Sequence, residues 1–189
     1  MKIKKVAVLG AGAVGSYVIW GLSQREDIEL GVIATGERAE RLKEKGCKIN
    51  GVTYHPHVWT PEEAHDVDLL IVSLKYGALA GALDDIQTIV GEHTTVMSLM
   101  NGVDSEERIA EKVEKSHILY ALIKVASHKE GDGYCFNPET TIGIIFGELE
   151  APYESERVGA VKKLFSETGL HFRSTEHIRE EMWSKFRLN

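Results

Sequence analysis

The sequence predicts an α/β fold built on a doubly wound, largely parallel sheet. Three observations lead there. Short apolar runs at 5–9, 30–34, 68–74 and 94–99 alternate with helix-period segments. The runs at 68–74 and 94–99 are nearly continuous, as expected of parallel strands covered on both faces. The first run leads directly into Gly10-Ala11-Gly12-Ala13-Val14-Gly15, a strand-turn-helix signature of Rossmann-type sheets. With 189 residues the chain suits one domain, or one domain and part of another.

Each element has a local reason. After the glycine turn, Val14, Val18 and Leu22 recur at fourfold spacing with Ile19 beside them, predicting a helix over 13–23. A second strand at 30–34 precedes a charged helix at 37–45, which Gly46 stops because it accepts the left-handed cap. Asn50-Gly51 suits the positive φ angles of a tight hairpin turn, with arms at 47–50 and 52–58. Thr60-Pro61-Glu62-Glu63 offers a capping hydroxyl, a first-turn proline and two acids, so a short helix is expected. A helix at 78–90 separates the two buried strands, and another is expected at 105–113. Longer strands at 117–126 and 140–147, with Gly131-Asp132-Gly133 turning between them, would add antiparallel members. An amphipathic helix at 155–167 ends at Gly169, a brief strand follows at 170–173, and a last helix begins near Glu176. Nothing resembling a C-cap closes that helix at Asn189, which predicts a truncated chain whose next domain is missing.

Composition narrows the partners. The 22 Lys and Arg against 29 Asp and Glu give a net charge of −7, with no basic block to neutralise a phosphate backbone, so nucleic acid is not expected. No apolar run approaches a membrane span and no signal peptide precedes the first strand, so a cytoplasmic protein is expected. Cys47 and Cys135 lie far apart and suggest neither a disulfide framework nor a cysteine-rich zinc site. Two imidazoles in His55-Pro56-His57 share a strand face, but with no third ligand nearby a solvated hairpin is preferred and no metal is expected.

The glycine turn carries the first chemistry. Gly10 makes the tight turn, Gly12 lets the backbone approach a pyrophosphate, and Gly15 lets the helix pack on the strand, with Ala11, Ala13 and Val14 completing the loop. The helix N-terminus then favours the anion. A nicotinamide dinucleotide is the expected ligand, with FAD as competitor. An NAD site usually places an acid at the end of the second strand. Here Thr35, Arg38 and Arg41 follow instead, and hydroxyl and guanidinium groups suit a 2′-phosphate, so NADP(H) is expected. Glu37 could reach a ribose and keeps NAD open, and both arginines could simply decorate a solvated helix. Lys75 stands at the carboxyl edge of the strand at 68–74, where such sheets bind ligands, and could meet a cofactor phosphate or a substrate carboxylate. Asn101-Gly102 holds the corresponding place after 94–99, either as an amide at the cleft or as a turn residue.

Taken together, Gly10-Ala11-Gly12-Ala13-Val14-Gly15, the strand-end Lys75, Leu99-Met100-Asn101-Gly102-Val103 and the terminal Trp183-Ser184-Lys185-Phe186-Arg187-Leu188-Asn189 resemble the ketopantoate (2-dehydropantoate) reductase family across essentially the whole chain. The resemblance implies an NADPH-dependent reductase that delivers hydride to the ketone of a 2-oxo acid, with a Rossmann domain followed by an all-helical substrate domain. It implies Lys185 as proton donor and charge stabiliser, Asn101 as the contact to substrate and cofactor, Asn189 one helical turn beyond Lys185 as substrate-orienting amide, and Lys75 near the cofactor phosphates. Met100 stands where many members have glutamine, and Tyr76-Gly77 follows Lys75 where many have Ala-Tyr-Gln. The expected division is a nucleotide domain at 1–174 and the start of a truncated helical domain at 175–189. Ketopantoate is the expected substrate; another 2-oxo acid, or an NADP(H) sensor without catalysis, remain the alternatives. This stretch alone is expected to bind cofactor with little turnover, and Trp183 and Phe186 to anchor the last helix against a core or a partner domain. An apolar face left bare would favour a homodimer.

Overall fold

The computed structural model describes residues 1–188. The chain opens with β1 (Lys5–Leu9), the glycine turn, α1 (Ala13–Leu22), β2 (Glu29–Ile33) and α2 (Gly36–Lys45). Gly46 ends α2 at φ +66, and a Cβ there would lie 2.4 Å from the Tyr54 carbonyl oxygen. β3 (Cys47–Ile49) and β4 (Val52–Tyr54) form the expected hairpin across Asn50 and Gly51, at φ 51 and 78.

The second arm of that hairpin is shorter than the sequence reading made it. Pro56 has no amide hydrogen to continue a ladder, and β5 (His57–Trp59) instead pairs in parallel with β2. His55 stays beside Gly46 while His57 stacks on Trp59 with ring centroids 5.6 Å apart, so the two imidazoles do not share one strand face. The helix expected after Thr60 is only a turn. Thr60 and Glu63 make the reciprocal capping pair, with the Thr60 amide donating to Glu63 Oε2 at 2.8 Å and the Glu63 amide to Thr60 Oγ1 at 3.2 Å. Asp66 then turns to φ +60 and donates its amide to the Ile89 carbonyl, which halts propagation.

β6 (Leu69–Val72), α3 (Tyr76–Ile89), β7 (Thr95–Ser98), the short α4 (Ser105–Ile109) and a 3-10 turn at Lys115–His117 complete the first half. They are followed by β8 (Tyr120–Lys124), β9 (His128–Glu130), β10 (Gly133–Cys135), β11 (Gly143–Gly147), α5 (Glu156–Ser166), β12 (Phe172–Ser174) and α6 (Ile178–Leu188).

The main sheet is parallel, in the order β5-β2-β1-β6-β7. Successive strand residues bury to opposite faces, and both faces are apolar. Val6, Val8, Leu69 and Ile71 meet Tyr17, Val18 and Leu22 of α1 and Val161 and Phe165 of α5. Ala7, Leu9, Leu70 and Val72 meet Leu79, Leu83 and Ile86 of α3. This double covering is why these strands read as runs instead of alternating patterns. A three-stranded sheet, β12-β11-β8, continues beyond β7 through a single parallel bridge, Val96 to Ile118, in which the Leu119 amide donates to the Val96 carbonyl at 2.9 Å. β8 and β11 pair antiparallel, as the sequence suggested. The Gly131-Asp132-Gly133 turn does not join them directly. It closes the separate β9–β10 hairpin, which leaves the main layer to pair with β3 in a sheet ordered β4-β3-β10-β9.

Arg157 on α5 fastens the seam between the two larger sheets. Its guanidinium donates to the carbonyls of Ser116 at 2.6 Å and Ile118 at 3.0 Å and pairs with Glu148 at 2.6 and 2.7 Å. Burial opposes ionisation of Glu148, but Arg157 and Ser155 outweigh it and hold its carboxyl below the ordinary range. α6 packs Ile178 and Met182 against Leu122 and Ile145. Trp183, Phe186 and Leu188 are exposed, so the two aromatic rings touch each other at 5.8 Å without anchoring the helix in this chain's core. Among the described residues, no helix is long and apolar enough to cross a membrane.

Candidate functional site

The glycine turn sits where β1 ends against β6. Gly10 adopts φ +105, and the Ser73 hydroxyl donates to its carbonyl at 2.6 Å. Gly15 on α1 packs so closely that a Cβ would lie 1.9 Å from the Gly10 carbonyl oxygen. Gly12, between them, has open space on its Cβ side. α1 therefore begins with its N-terminus unobstructed, without a side-chain cap and without an acid in its first turn. Unpaired backbone amides and the positive end of the helix dipole make this a place for an anion.

Beside that turn lies a cleft of about 490 Å³ whose walls include Ala11 and Ser16 of the turn and helix. Arg38, Arg41, Lys45, Lys48 and Lys129 line it, against Asp132 as its acid. Five cations in one cleft of a chain with net charge −7 make a strongly local field. Thr35 occupies the N-cap position of α2 and makes no capping hydrogen bond with its side chain. The β9–β10 hairpin supplies Lys129 and Tyr134 to the same cleft, which only its pairing with β3 makes possible.

A larger cavity of about 1080 Å³ opens on the other side of the turn and is lined by Val14, Asn101, Lys124, Asn137, Thr141 and Lys185, among others. Lys185 Nζ donates to Asn101 Oδ1 at 3.1 Å, joining residues 84 apart in sequence. Burial lowers the Lys185 pKa from the ordinary lysine value, and the neighbouring Lys124 ammonium lowers it further. Asn101 is exposed on the loop after β7, where Gly102 turns at φ +107. Behind that loop the Met100 amide donates to Ser98 Oγ at 3.4 Å, Ser98 Oγ lies 2.8 Å from Ser105 Oγ, and Ser105 donates to Glu106 Oε2 at 2.9 Å. Burial pushes the Glu106 pKa up to about 7 against the opposing backbone and Ser105 hydrogen bonds.

The structure thus brings together Val14, Asn101 and Lys185 around one cavity, and Ala11 and Arg38 around the other. Lys75 lies exposed at the N-cap of α3 and lines neither cavity. Asn189 lies outside the described residues. Sequence reasoning missed Lys124, Ser73 and the buried Glu106. Lys124 was visible as a lone cation ending an apolar strand, but its meeting with Lys185 depends on α6 crossing β8. It also missed that His128 and Cys135 line the larger cavity.

A family model described as ketopantoate reductase PanE/ApbA matches residues 6–149. The chain is 24% identical over 186 residues to an uncharacterized oxidoreductase, YkpB, of Bacillus subtilis, covering 96% of this chain and 61% of that protein. It is 30% identical over 192 residues to a 2-dehydropantoate 2-reductase of Pyrococcus horikoshii, covering 98% of this chain and 60% of that one. A solved D-mandelate dehydrogenase, in a ternary complex with NADH and anilino(oxo)acetate, superposes with a TM-score of 0.78 at 25% identity, over 96% of this chain and 60% of its own. The chain therefore spans about three fifths of the length of these relatives.

Proposed function

The chain belongs to the ketopantoate reductase family, and on that premise we propose that it carries the cofactor-binding half of an NADPH-dependent 2-oxo acid reductase. The proposed reaction is reduction of 2-dehydropantoate to pantoate, the step that feeds pantothenate and coenzyme A synthesis. The observation that carries this reading is the 3.1 Å contact between Lys185 and Asn101 on a cavity that Val14 of the glycine turn also lines. Residues 1–174 form the nucleotide domain and 175–189 begin a helical substrate domain. Two free cysteines agree with a reducing, cytoplasmic setting, and the exposed Trp183 and Phe186 with a homodimer.

The residues fit the cofactor. The uncapped start of α1 receives the pyrophosphate, with Gly12 giving the backbone room to approach. Arg38 and Arg41 hold the 2′-phosphate in the cationic cleft, and Thr35, at the N-cap of α2 with its hydroxyl not used for capping, offers a further hydrogen bond to it. Lys75 contributes longer-range attraction from the strand edge. Bound NADPH supplies the hydride. Hydride addition leaves negative charge on the carbonyl oxygen, and the Lys185 ammonium stabilises that charge and then gives up a proton to form the hydroxyl. Its lowered pKa eases this transfer. Asn101 holds the ammonium in place, Asn189 orients the substrate, and Lys124 faces the same cavity as a counter-charge for the substrate carboxylate.

Calorimetric titration of the 189-residue chain with NADPH and NADH tests the cofactor reading. Tighter NADPH binding is expected, and Arg38→Ala with Arg41→Ala should remove the preference, about tenfold or more, corresponding to ~1.4 kcal/mol. Tighter NADH binding overturns it. Binding with little turnover is expected of this chain alone, since the outer face of the helix bearing Lys185 is bare. A second reading, another 2-oxo acid, draws on the likeness to the mandelate enzyme. NADPH oxidation across a panel of 2-oxo acids by the protein at its natural length separates the two, and nucleotide binding with no turnover on any of them favours a sensor.

A further inference from the structure

The β9–β10 hairpin has two working faces. Lys129 and Tyr134, directly opposite each other, turn toward the cationic cleft. The other face carries His128 and Glu130, two apart on β9, and Cys135, which pairs with His128 across the ladder. Alternation places all three side chains on the same side. Gly133 stands opposite Glu130, where a Cβ would lie 2.5 Å from the Lys48 carbonyl oxygen, so that strand position contributes no competing side chain. The imidazole, carboxylate and thiol donor atoms all lie within 4.8 Å of one another, and His128 Nε2 is 4.0 Å from Glu130 Oε2.

We propose that His128, Glu130 and Cys135 form a binding site for a thiophilic divalent cation of the zinc type. Metal–ligand bonds of about 2.0–2.3 Å place tetrahedral ligands roughly 3.3–3.8 Å apart, so the donors need to close by about 1.5 Å at most. His128 and Glu130 are exposed and Cys135 is half-buried, so side-chain rotation suffices and the hairpin backbone stays in register. A sulfur, nitrogen and oxygen set selects zinc-like ions over calcium or magnesium, which require oxygen alone. Three protein ligands leave a fourth position for water. His128 and Cys135 also line the larger cavity, so a carboxylate entering that cavity could take the fourth position instead. The site is independent of the reductase reading, and neither falls with the other.

The test uses the 189-residue chain stripped with chelator. Calorimetry with Zn²⁺ should show one equivalent bound. His128→Ala, Glu130→Gln and Cys135→Ser should each weaken binding by more than the roughly tenfold that losing an outer-shell partner costs. Co²⁺ substituted for Zn²⁺ should give a thiolate-to-cobalt charge-transfer band in the wild-type chain, retained in Cys47→Ala and lost in Cys135→Ser. That spectrum on the unaltered protein does not depend on how any variant folds. No stoichiometric binding, no charge-transfer band, or undiminished binding in any one of the three ligand variants overturns the site.

Discussion

Gly12 and Gly15 are three residues apart, yet a methyl group meets opposite surroundings at the two positions. At Gly15 it would strike the Gly10 carbonyl oxygen, so Gly15→Ala forces β1 and α1 apart. Overpacking of this kind costs ~1–3 kcal/mol, to be read from urea unfolding. At Gly12 the methyl meets open space, so Gly12→Ala should stay within ~1 kcal/mol of wild type. The same substitution should weaken NADPH binding about tenfold, which is ~1.4 kcal/mol. Glu106 makes the second residue-scale case. Its pKa is pushed to about 7 from 4.5 in the folded state by burial, so the folded protein holds this proton more tightly than the unfolded chain. Stability is therefore fully retained below pH ~4.5 and declines as pH rises toward ~7, by up to about 3 kcal/mol. Glu106→Gln keeps an uncharged partner for Ser105 and should flatten that slope, leaving the variant the more stable protein at pH 8. Unfolding midpoints measured from pH 5 to 8 on both proteins provide the check. Nothing in the sequence marked Glu106, because one acid in Ser105-Glu106-Glu107-Arg108 looks like any first-turn helix acid until the fold buries it.

At the scale of elements, Arg157 does for the seam what no strand pairing does. It draws the carbonyls of Ser116 and Ile118 toward α5 while holding Glu148. Arg157→Met would strand a largely buried carboxylate and release both carbonyls, an expected loss of ~2–3 kcal/mol by urea unfolding, moderated because the pair retains some solvent contact. What the sequence disclosed about elements followed from how local their causes are. The strands β1, β2, β6, β7, β8 and β11 and the helices α1, α2, α3 and α5 were legible because apolar period and glycine stops are local signals, whereas β9 and β10 were not read as strands. The split at Pro56 and the failed helix after Pro61 were not, because each was decided by a distant partner: β2 for His57–Trp59, and the Ile89 carbonyl for Asp66. The same division runs through the candidate site. The glycine turn and Arg38 could be read from neighbours in sequence, whereas Lys124 and the His128, Glu130 and Cys135 cluster exist only through a helix crossing and a cross-strand register.

Across the whole molecule, one hydrophobic core runs beneath two sheets, with Val8 and Ile71 under one and Leu119, Ile144 and Phe146 under the other. The two backbones meet at the single Val96–Ile118 bridge. A continuous core under a nearly discontinuous ladder means that side-chain packing and backbone pairing can be lost separately. Amide hydrogen exchange tells them apart. The Ile71 amide, inside the parallel sheet, should exchange only through global unfolding. The Leu119 amide, on its solitary rung, should exchange faster, and faster again in Arg157→Met. Equal protection at the two amides would instead mean that the sheets open as a single cooperative unit. If they do not, β8, β11, β12 and the α6 packed on them can loosen as a unit while the nucleotide turn stays folded. Lys185 would then ride on the part of the molecule that breathes and Gly12 on the part that does not, so a bound dinucleotide could persist through openings that repeatedly undock the proton donor.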